Sequence, residues 1–136
     1  MYLRAPIQKM YPGIHIEITH NQSRISLPLS HKFFHAGGSV HGSIYFRLLD
    51  DAAYFAVSSS HSDFFILTAS FHIDLIRPVS NGVLYAKGKL IKNGRKLMHA
   101  KSELRDDKGK LVAVGKGTFA KSNIPMSQVE AYENQA

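Results

Sequence analysis

Hydrophobic and polar residues alternate along two stretches near the beginning of the chain. Isoleucine occupies every second position from 14 to 18, and aliphatic residues do so again from 25 to 29, after the polar segment HNQS. A period of two is typical of half-buried β-strands, and HNQS has the composition of a turn. The pattern therefore predicts a hairpin between residues 14 and 29.

The second half of the chain carries signals for about four more antiparallel strands. In FILTASFHIDLIRPV, apolar residues at 67, 69, 71, 73 and 75 alternate with Thr68, Ser70, His72 and Asp74, and Pro78 ends the strand. The Asn93-Gly94 pair predicts a hairpin with a two-residue turn that needs a positive φ. The segment DDKG at 106–109 predicts the next turn, before KLVAVGKGTFAK.

Between the two groups of strands lies one long helical pattern, from Ser39 or Val40 to about Ser60. Two neighbouring stripes of apolar residues indicate a buried helix; they comprise Ile44, Leu48, Ala52 and Phe55, and Tyr45, Leu49, Ala53 and Ala56. The polar residues form one narrow stripe: Ser43, Arg47, Asp50, Asp51 and Ser58. One sheet cannot cover such a helix on all sides, so we expect a partner subunit.

Length and composition narrow the class of protein. The 136 residues suit a single domain, with a core at about 12–121 and a poorly ordered tail at 122–136. The chain has no signal-peptide pattern and no apolar run long enough for a membrane helix, so we expect a cytoplasmic protein. Because it contains no cysteine, disulfides, thiolate metal sites and a cysteine nucleophile are excluded.

The positive charge is concentrated in residues 87–121. This segment holds eleven lysines and arginines against three acidic residues, while the rest of the chain is almost neutral. Such a segment forms either a solvated surface or a site for a phosphate-rich ligand. Its only aromatic residue is Phe119, which argues against nucleic acid as the partner.

The segment HAGGSVHGSIYFRLLD, residues 35–50, resembles the hotdog-fold acyl-CoA thioesterases of the phenylacetic-acid-degradation type. That family carries Asn-x-x-Gly-x-x-His-Gly-Gly, then six residues, then Asp; here His35 replaces the Asn and Ser43 replaces the last Gly. The likeness extends over about residues 12–121. It implies an α+β hotdog fold, in which a curled antiparallel sheet of five to six strands wraps one long central helix. It also implies a homodimer, with a dimer of dimers left open.

The resemblance implies catalytic roles for Asp50, Gly42, His41, His35 and Thr68, and a place for Ser43 at the substrate. No cofactor and no membrane partner are expected beyond the coenzyme A of the substrate itself. We assign the phosphates of coenzyme A to three basic residues around the predicted hairpin turn: Lys92, Arg95 and Lys96.

Physical chemistry supports this choice of residues for thioester hydrolysis. A backbone N–H at a helix N-terminus stabilises an oxyanion, and Gly42, which lacks Cβ, permits close approach of the carbonyl. Asp50 is either the nucleophile or the general base for water. Arg47 and Asp51 have the i, i+4 spacing of an ion pair, so we expect Asp51 to be structural and Asp50 chemical.

Helix geometry adds one constraint on this site. Gly42 and Asp50 are eight residues apart, about 12 Å along a helix axis, so one carbonyl cannot contact both in the same chain. Two antiparallel helices across a two-fold axis would place Gly42 of one chain opposite Asp50 of the other, with two composite sites per dimer.

Other interpretations remain open or are disfavoured. A metal site at His31, His35 and His41 is disfavoured because no acidic residue lies close before Asp50. His72 and Asp74 suggest a hydrogen bond at the surface or at a dimer interface. A non-catalytic acyl-CoA-binding protein, and a hotdog dehydratase or hydratase, remain the alternatives to the thioesterase.

Overall fold

The computed structural model describes residues 2–129, which form one α-helix, six β-strands and four short 3₁₀ turns. The strands form one antiparallel sheet in the order β1-β2-β4-β5-β6-β3, and the helix packs against β2 to β6. The predicted α+β hotdog fold is therefore confirmed. The elements are β1 His15–Thr19, β2 Gln22–Pro28, α1 Gly42–Ser58, β3 Phe64–Leu75, β4 Val83–Asn93, β5 Leu97–Arg105 and β6 Leu111–Pro125.

Helix α1 lies directly on the backbone of the sheet. All eight residues of the two predicted apolar stripes are buried. A Cβ on Gly88 of β4 would collide with the Ala52 carbonyl, so glycine is what permits this close approach. The buried Ser23 hydroxyl on β2 donates a hydrogen bond to the same carbonyl. These two contacts fix the position of α1 relative to β2 and β4.

Two of the turns show where local sequence reasoning succeeds and where it is wrong. The predicted first hairpin is present, with Asn21 at a φ of 64° between β1 and β2. The predicted two-residue turn at Asn93-Gly94 is wrong, because β4 ends at Asn93 and β5 begins only at Leu97. Gly94 does not have a positive φ. A Cβ there would instead collide with the Leu97 carbonyl, which accepts a hydrogen bond from the Gly94 N–H.

Strand β3 lies at the edge of the sheet and pairs only with β6. Its register shifts between Thr68 and Ser70, as in a β-bulge. The simple alternation placed Thr68 on the same face as Ser70, His72 and Asp74, and this prediction is wrong. The shift turns Thr68 to the inner face, opposite the fully buried Phe119 and facing α1.

The core extends beyond the predicted range of 12–121 at both ends. The 3₁₀ segments Tyr2–Arg4 and Pro6–Met10 contribute the buried residues Tyr2 and Gln8. Strand β6 continues to Pro125, inside the segment expected to be a poorly ordered tail, and Met126 is buried after it. Residues 130–136 of that predicted tail lie outside the described residues. In the part of the chain described here, no helix is long and apolar enough to cross a membrane.

Candidate active site

Helix α1 begins at Gly42, and the residue that caps it is His41. The His41 Nδ1 accepts a hydrogen bond from the Ser43 N–H at 3.1 Å and lies 2.8 Å from the Ser43 hydroxyl. His41 is therefore the N-cap of α1, and Ser43 supplies the backbone N–H that the cap accepts. The Gly42 N–H belongs to the first turn of α1, where N–H groups have no intrahelical acceptor. It is available, at the positive end of the helix dipole, for an acceptor on a ligand.

A pocket of about 290 Å³ opens beside Gly42. Its walls come from the loop before α1, from the first turn of α1, and from the end of β3 and the chain that follows it, including the exposed Leu75 and Ile76. The Tyr45 hydroxyl on α1 donates a hydrogen bond to the Arg77 carbonyl at 3.0 Å and ties these two walls together. Sequence reasoning placed Tyr45 in a buried stripe of the helix, but it did not connect Tyr45 with Arg77, because no local motif joins residues 32 positions apart.

His35 shapes the loop that leads into this pocket. Its Nδ1 accepts the Gly37 N–H at 2.9 Å, and its Nε2 lies 2.8 Å from the Ser39 hydroxyl. Because Nδ1 accepts from a backbone N–H, the neutral ring carries its proton on Nε2 and donates it to Ser39. Both ring nitrogens are thus used within the loop. The structure places His35 on the pocket wall as a residue that holds the loop in shape.

Asp50 and Thr68 meet between α1 and β3. The Thr68 hydroxyl donates a hydrogen bond to Asp50 Oδ1 at 3.0 Å. Partial burial raises the pKa of Asp50 above its ordinary value, and the Thr68 hydrogen bond opposes that rise. The bulge in β3 is what aims Thr68 at Asp50. A carboxylate held by one neutral hydroxyl keeps acceptor capacity for a substrate or a water molecule.

Asp51 belongs to a different cluster, on the side of α1 that faces the N-terminal segment. The predicted ion pair is confirmed, with Arg47 Nε 3.3 Å from Asp51 Oδ2. Arg47 also donates to Gln8 Oε1 at 2.7 Å and lies over the Tyr11 ring at 3.8 Å. Burial raises the pKa of Asp51 to about 6, an effect that Arg47 opposes and Asp50 reinforces. The prediction that Asp51 is structural is consistent with these contacts.

The other predicted residues lie away from Gly42. Lys92 is exposed at the end of β4, and Arg95 and Lys96 are exposed in the connection that follows. This hairpin lies near the C-terminal end of α1, since Asn93 contacts His61 just beyond that end at 2.7 Å. His72 and Asp74 form the predicted surface hydrogen bond at 3.3 Å. No group of three metal-ligating side chains occurs among residues 2–129.

One long helix wrapped by a curled six-stranded sheet, with a glycine at the helix N-terminus and a carboxylate further along, defines a hotdog protein. The model of the thioesterase superfamily matches residues 37–113, more than half of the chain. The protein therefore belongs to the thioesterase superfamily. The match begins in the loop before α1 and includes both Gly42 and Asp50.

Solved structures agree with this assignment of the fold. The conserved protein PA5202 of Pseudomonas aeruginosa is 29% identical, with a TM-score of 0.82 over 88% of this chain and 96% of that chain. The PaaI protein of the Escherichia coli phenylacetic acid degradation operon is 21% identical, with a TM-score of 0.83 over 92% and 90%. Thioesterase HI1161 of Haemophilus influenzae is 20% identical, with a TM-score of 0.81 over 90% and 87%. No curated protein matches the chain.

Proposed function

We propose that this protein is an acyl-CoA thioesterase whose active sites are built from two copies of the chain. The observation that carries the proposal is the Asp50–Thr68 hydrogen bond, which presents a partly buried carboxylate within a thioesterase-superfamily domain. The structural likeness to PaaI and to thioesterase HI1161 supports the same class of chemistry.

In the proposed reaction, the Gly42 N–H binds the thioester oxygen and stabilises the negative charge that develops on it. Asp50 either attacks the carbonyl carbon itself or removes a proton from the attacking water. The C–S bond then breaks, and the sulfur leaves as a thiolate that takes up a proton. When water attacks, the carboxylic acid is released directly. When Asp50 attacks, the acyl group is first held on Asp50 as an anhydride, and a water molecule hydrolyses it to release the acid and restore the carboxylate. Both routes require an ionised Asp50. Thr68 orients that carboxylate, while His35 and His41 hold the loop and the helix start.

A second copy of the chain completes the site in this proposal. Gly42 and Asp50 are about 12 Å apart along α1, and the pocket beside Gly42 is not lined by Asp50. The edge position of β3 and its exposed apolar side chains, Leu67 and Leu75, support pairing with a partner subunit there. Antiparallel α1 helices then bring Gly42 of one subunit to Asp50 of the other.

The same arrangement supports the assignment of Lys92, Arg95 and Lys96 to the phosphates of coenzyme A. These residues lie near the C-terminal end of their own α1, which an antiparallel partner helix approaches with its N-terminus. If they bind phosphate, the KM for CoA thioesters rises with ionic strength, whereas the KM for short pantetheine thioesters does not. Equal salt dependence for both substrates would show that these charges do not bind the nucleotide.

The decisive experiment measures free thiol released from a panel of aliphatic and aromatic acyl-CoA thioesters. We expect turnover of at least one member, lost in Asp50→Asn. Tight binding of acyl-CoA without thiol release would favour the non-catalytic binding protein instead. Addition of water to an enoyl-CoA without release of thiol would favour a hydratase.

A further inference from the structure

A row of cations crosses the outer face of the sheet, away from α1. Lys89 on β4 is directly opposite Lys101 on β5, Lys101 is opposite Lys116 on β6, and Lys116 is opposite His72 on β3. We call the three lysines, Lys89, Lys101 and Lys116, the cationic row. Like charges directly opposite each other on neighbouring strands destabilise a sheet. This arrangement therefore has an unfavourable charge distribution that an anionic partner would relieve.

No acidic residue of the structure neutralises the cationic row. The row lines a hollow of about 550 Å³ together with Lys87 and two acids, Asp74 and Glu103. Asp74 is held by His72 at 3.3 Å, and Glu103 is held by Arg105 at 3.3 Å. Among residues 2–129, the four lysines of this hollow form no ion pair with any acid.

The shape of this surface favours a macromolecule over a small ligand. Small-molecule sites are clefts that bury most of the ligand's surface, whereas this hollow is open and merges through His72, Lys101 and Lys116 with a second one of about 620 Å³. Single-stranded nucleic acid would need aromatic side chains for base stacking, and the two hollows contain only the half-buried Phe71. The oligonucleotide in the test below examines binding through phosphates alone.

We propose that the cationic row is a docking surface for an acidic amphipathic helix of a partner protein. Neighbouring strands are about 4.8 Å apart, so the row presents a positive charge at about that interval. Carboxylates at positions i, i+4 and i+7 of a helix recur every 5–6 Å along one stripe. A helix lying across the strands would therefore place one carboxylate near each lysine. The exposed Ile91 beside the row provides an apolar contact for the rest of the helix.

The test uses a fluorescein-labelled helical peptide of about 20 residues that carries glutamates on one i, i+4, i+7 stripe. The control peptide has glutamine at those positions. We expect the glutamate peptide alone to bind the full-length protein at low salt, measured by fluorescence anisotropy. The double variant Lys101→Glu, Lys116→Glu should weaken binding by about tenfold or more, because it places like charges against the peptide.

The matched control is Lys108→Glu, Lys110→Glu, which makes the same charge change at exposed positions in the turn before β6. It should change the affinity by less than about twofold. If the first double variant does not fold, Lys101→Gln, Lys116→Gln removes the cations without adding acids and should still weaken binding.

Three results would overturn the proposal. Equal loss of affinity in both double variants would mean that only net charge matters. Equal binding of the glutamine peptide would remove the role of the carboxylates. Displacement of the peptide by an oligonucleotide of equal charge, or by adenosine 3′,5′-bisphosphate at an equal concentration, would assign the surface to a phosphate-bearing ligand.

Discussion

Asp50 and Asp51 are neighbours in the chain, yet they belong to two different regions of the molecule. Successive residues of a helix are turned by about 100°, so Asp50 faces the edge strand β3 while Asp51 faces the N-terminal segment. Asp50 meets one neutral hydroxyl, that of Thr68. Asp51 meets the Arg47 guanidinium, which Gln8 and Tyr11 hold in place.

In our proposal, this difference means that a raised pKa alone does not identify the catalytic group. Strongly shifted groups occur at functional sites and also in structural ion-pair networks. The pKa of Asp51 rises to about 6 because of burial, but a cation already occupies its carboxylate. Asp50 keeps an oxygen that accepts no hydrogen bond from residues 2–129, and it lies beside the edge strand where a partner subunit would add the rest of the site.

The largest expected effect separates the two aspartates directly. Asp50→Asn should lower kcat/KM by about a thousandfold, the scale of a lost nucleophile or general base. Asp51→Asn should keep most of the activity, because Asp51 does not touch the substrate in our proposal. Thiol release measures both, and circular dichroism verifies that both variants are folded. Equal losses of activity in two folded variants would end the distinction between the two regions.

Mixing subunits tests whether Asp50 acts together with the helix start of another chain. Gly42→Pro removes the donor N–H and is compatible with the first position of a helix; Asp50→Asn removes the carboxylate. Each variant alone should be inactive. If the chains mix randomly, half of the dimers are mixed and each has one intact site of two, so activity should return to about a quarter of the wild-type value.

The composition of the dimers has to be measured in the same sample, by native mass spectrometry of chains with different masses. Confirmed mixed dimers that release no thiol would place Gly42 and Asp50 in separate functions. A Gly42→Ala chain is the matched control for the proline, since it keeps the N–H. Its added Cβ would lie 3.3 Å from Leu75 Cδ1, at the flexible end of that side chain.

The third effect concerns the stability of the region around Asp51. The pKa of Asp51 rises from 3.8 to about 6 on folding, so between these values the folded state binds more protons than the unfolded state. The contribution of Asp51 to stability therefore falls as pH rises through this range, by roughly 3 kcal/mol in total. The free energy of unfolding of the wild type minus that of Asp51→Asn should decrease accordingly between pH 3 and 7.

Urea unfolding at a series of pH values measures this difference. Asp63→Asn is the control of opposite sign, because the hydrogen bond from Lys121 lowers the pKa of Asp63. The difference between the wild type and that variant should increase as pH rises from the acidic range. A flat difference for Asp51→Asn would show that Arg47 compensates fully for the burial of Asp51.

Most of the fold could be predicted from the sequence, because its signals are local and periodic. The apolar stripes of α1 and the spacing of Arg47 and Asp51 follow from helix geometry alone, and both predictions are confirmed. The direction of Thr68 could not be predicted in this way, since a bulge reverses the alternation and depends on the pairing of β3 with β6. The cationic row was also hidden, because its members come from three different strands.

The smallest expected effect concerns how Thr68 tunes Asp50. The hydrogen bond from Thr68 lowers the pKa of Asp50, against the raising effect of burial. Activity requires the ionised carboxylate in either proposed route, so kcat/KM should fall below a pH that lies above the ordinary value for aspartate. We call the pH range in which kcat/KM falls the acid limb. Thr68→Val keeps the shape of the side chain but removes the donor, so the acid limb should move to higher pH.

At pH values well above the limb, the same variant should lose only a few-fold of its activity, because the carboxylate itself remains. Thr68→Ser keeps the hydroxyl and should preserve the position of the limb, although it removes a methyl group from the space facing α1. Asp51→Asn should leave the position of the limb nearly unchanged or move it slightly to lower pH. The negative charge of Asp51 acts on Asp50 only weakly, and its removal makes Asp50 slightly easier to ionise. A limb that moves with Asp51→Asn and not with Thr68→Val would transfer the catalytic role to the other side of the helix.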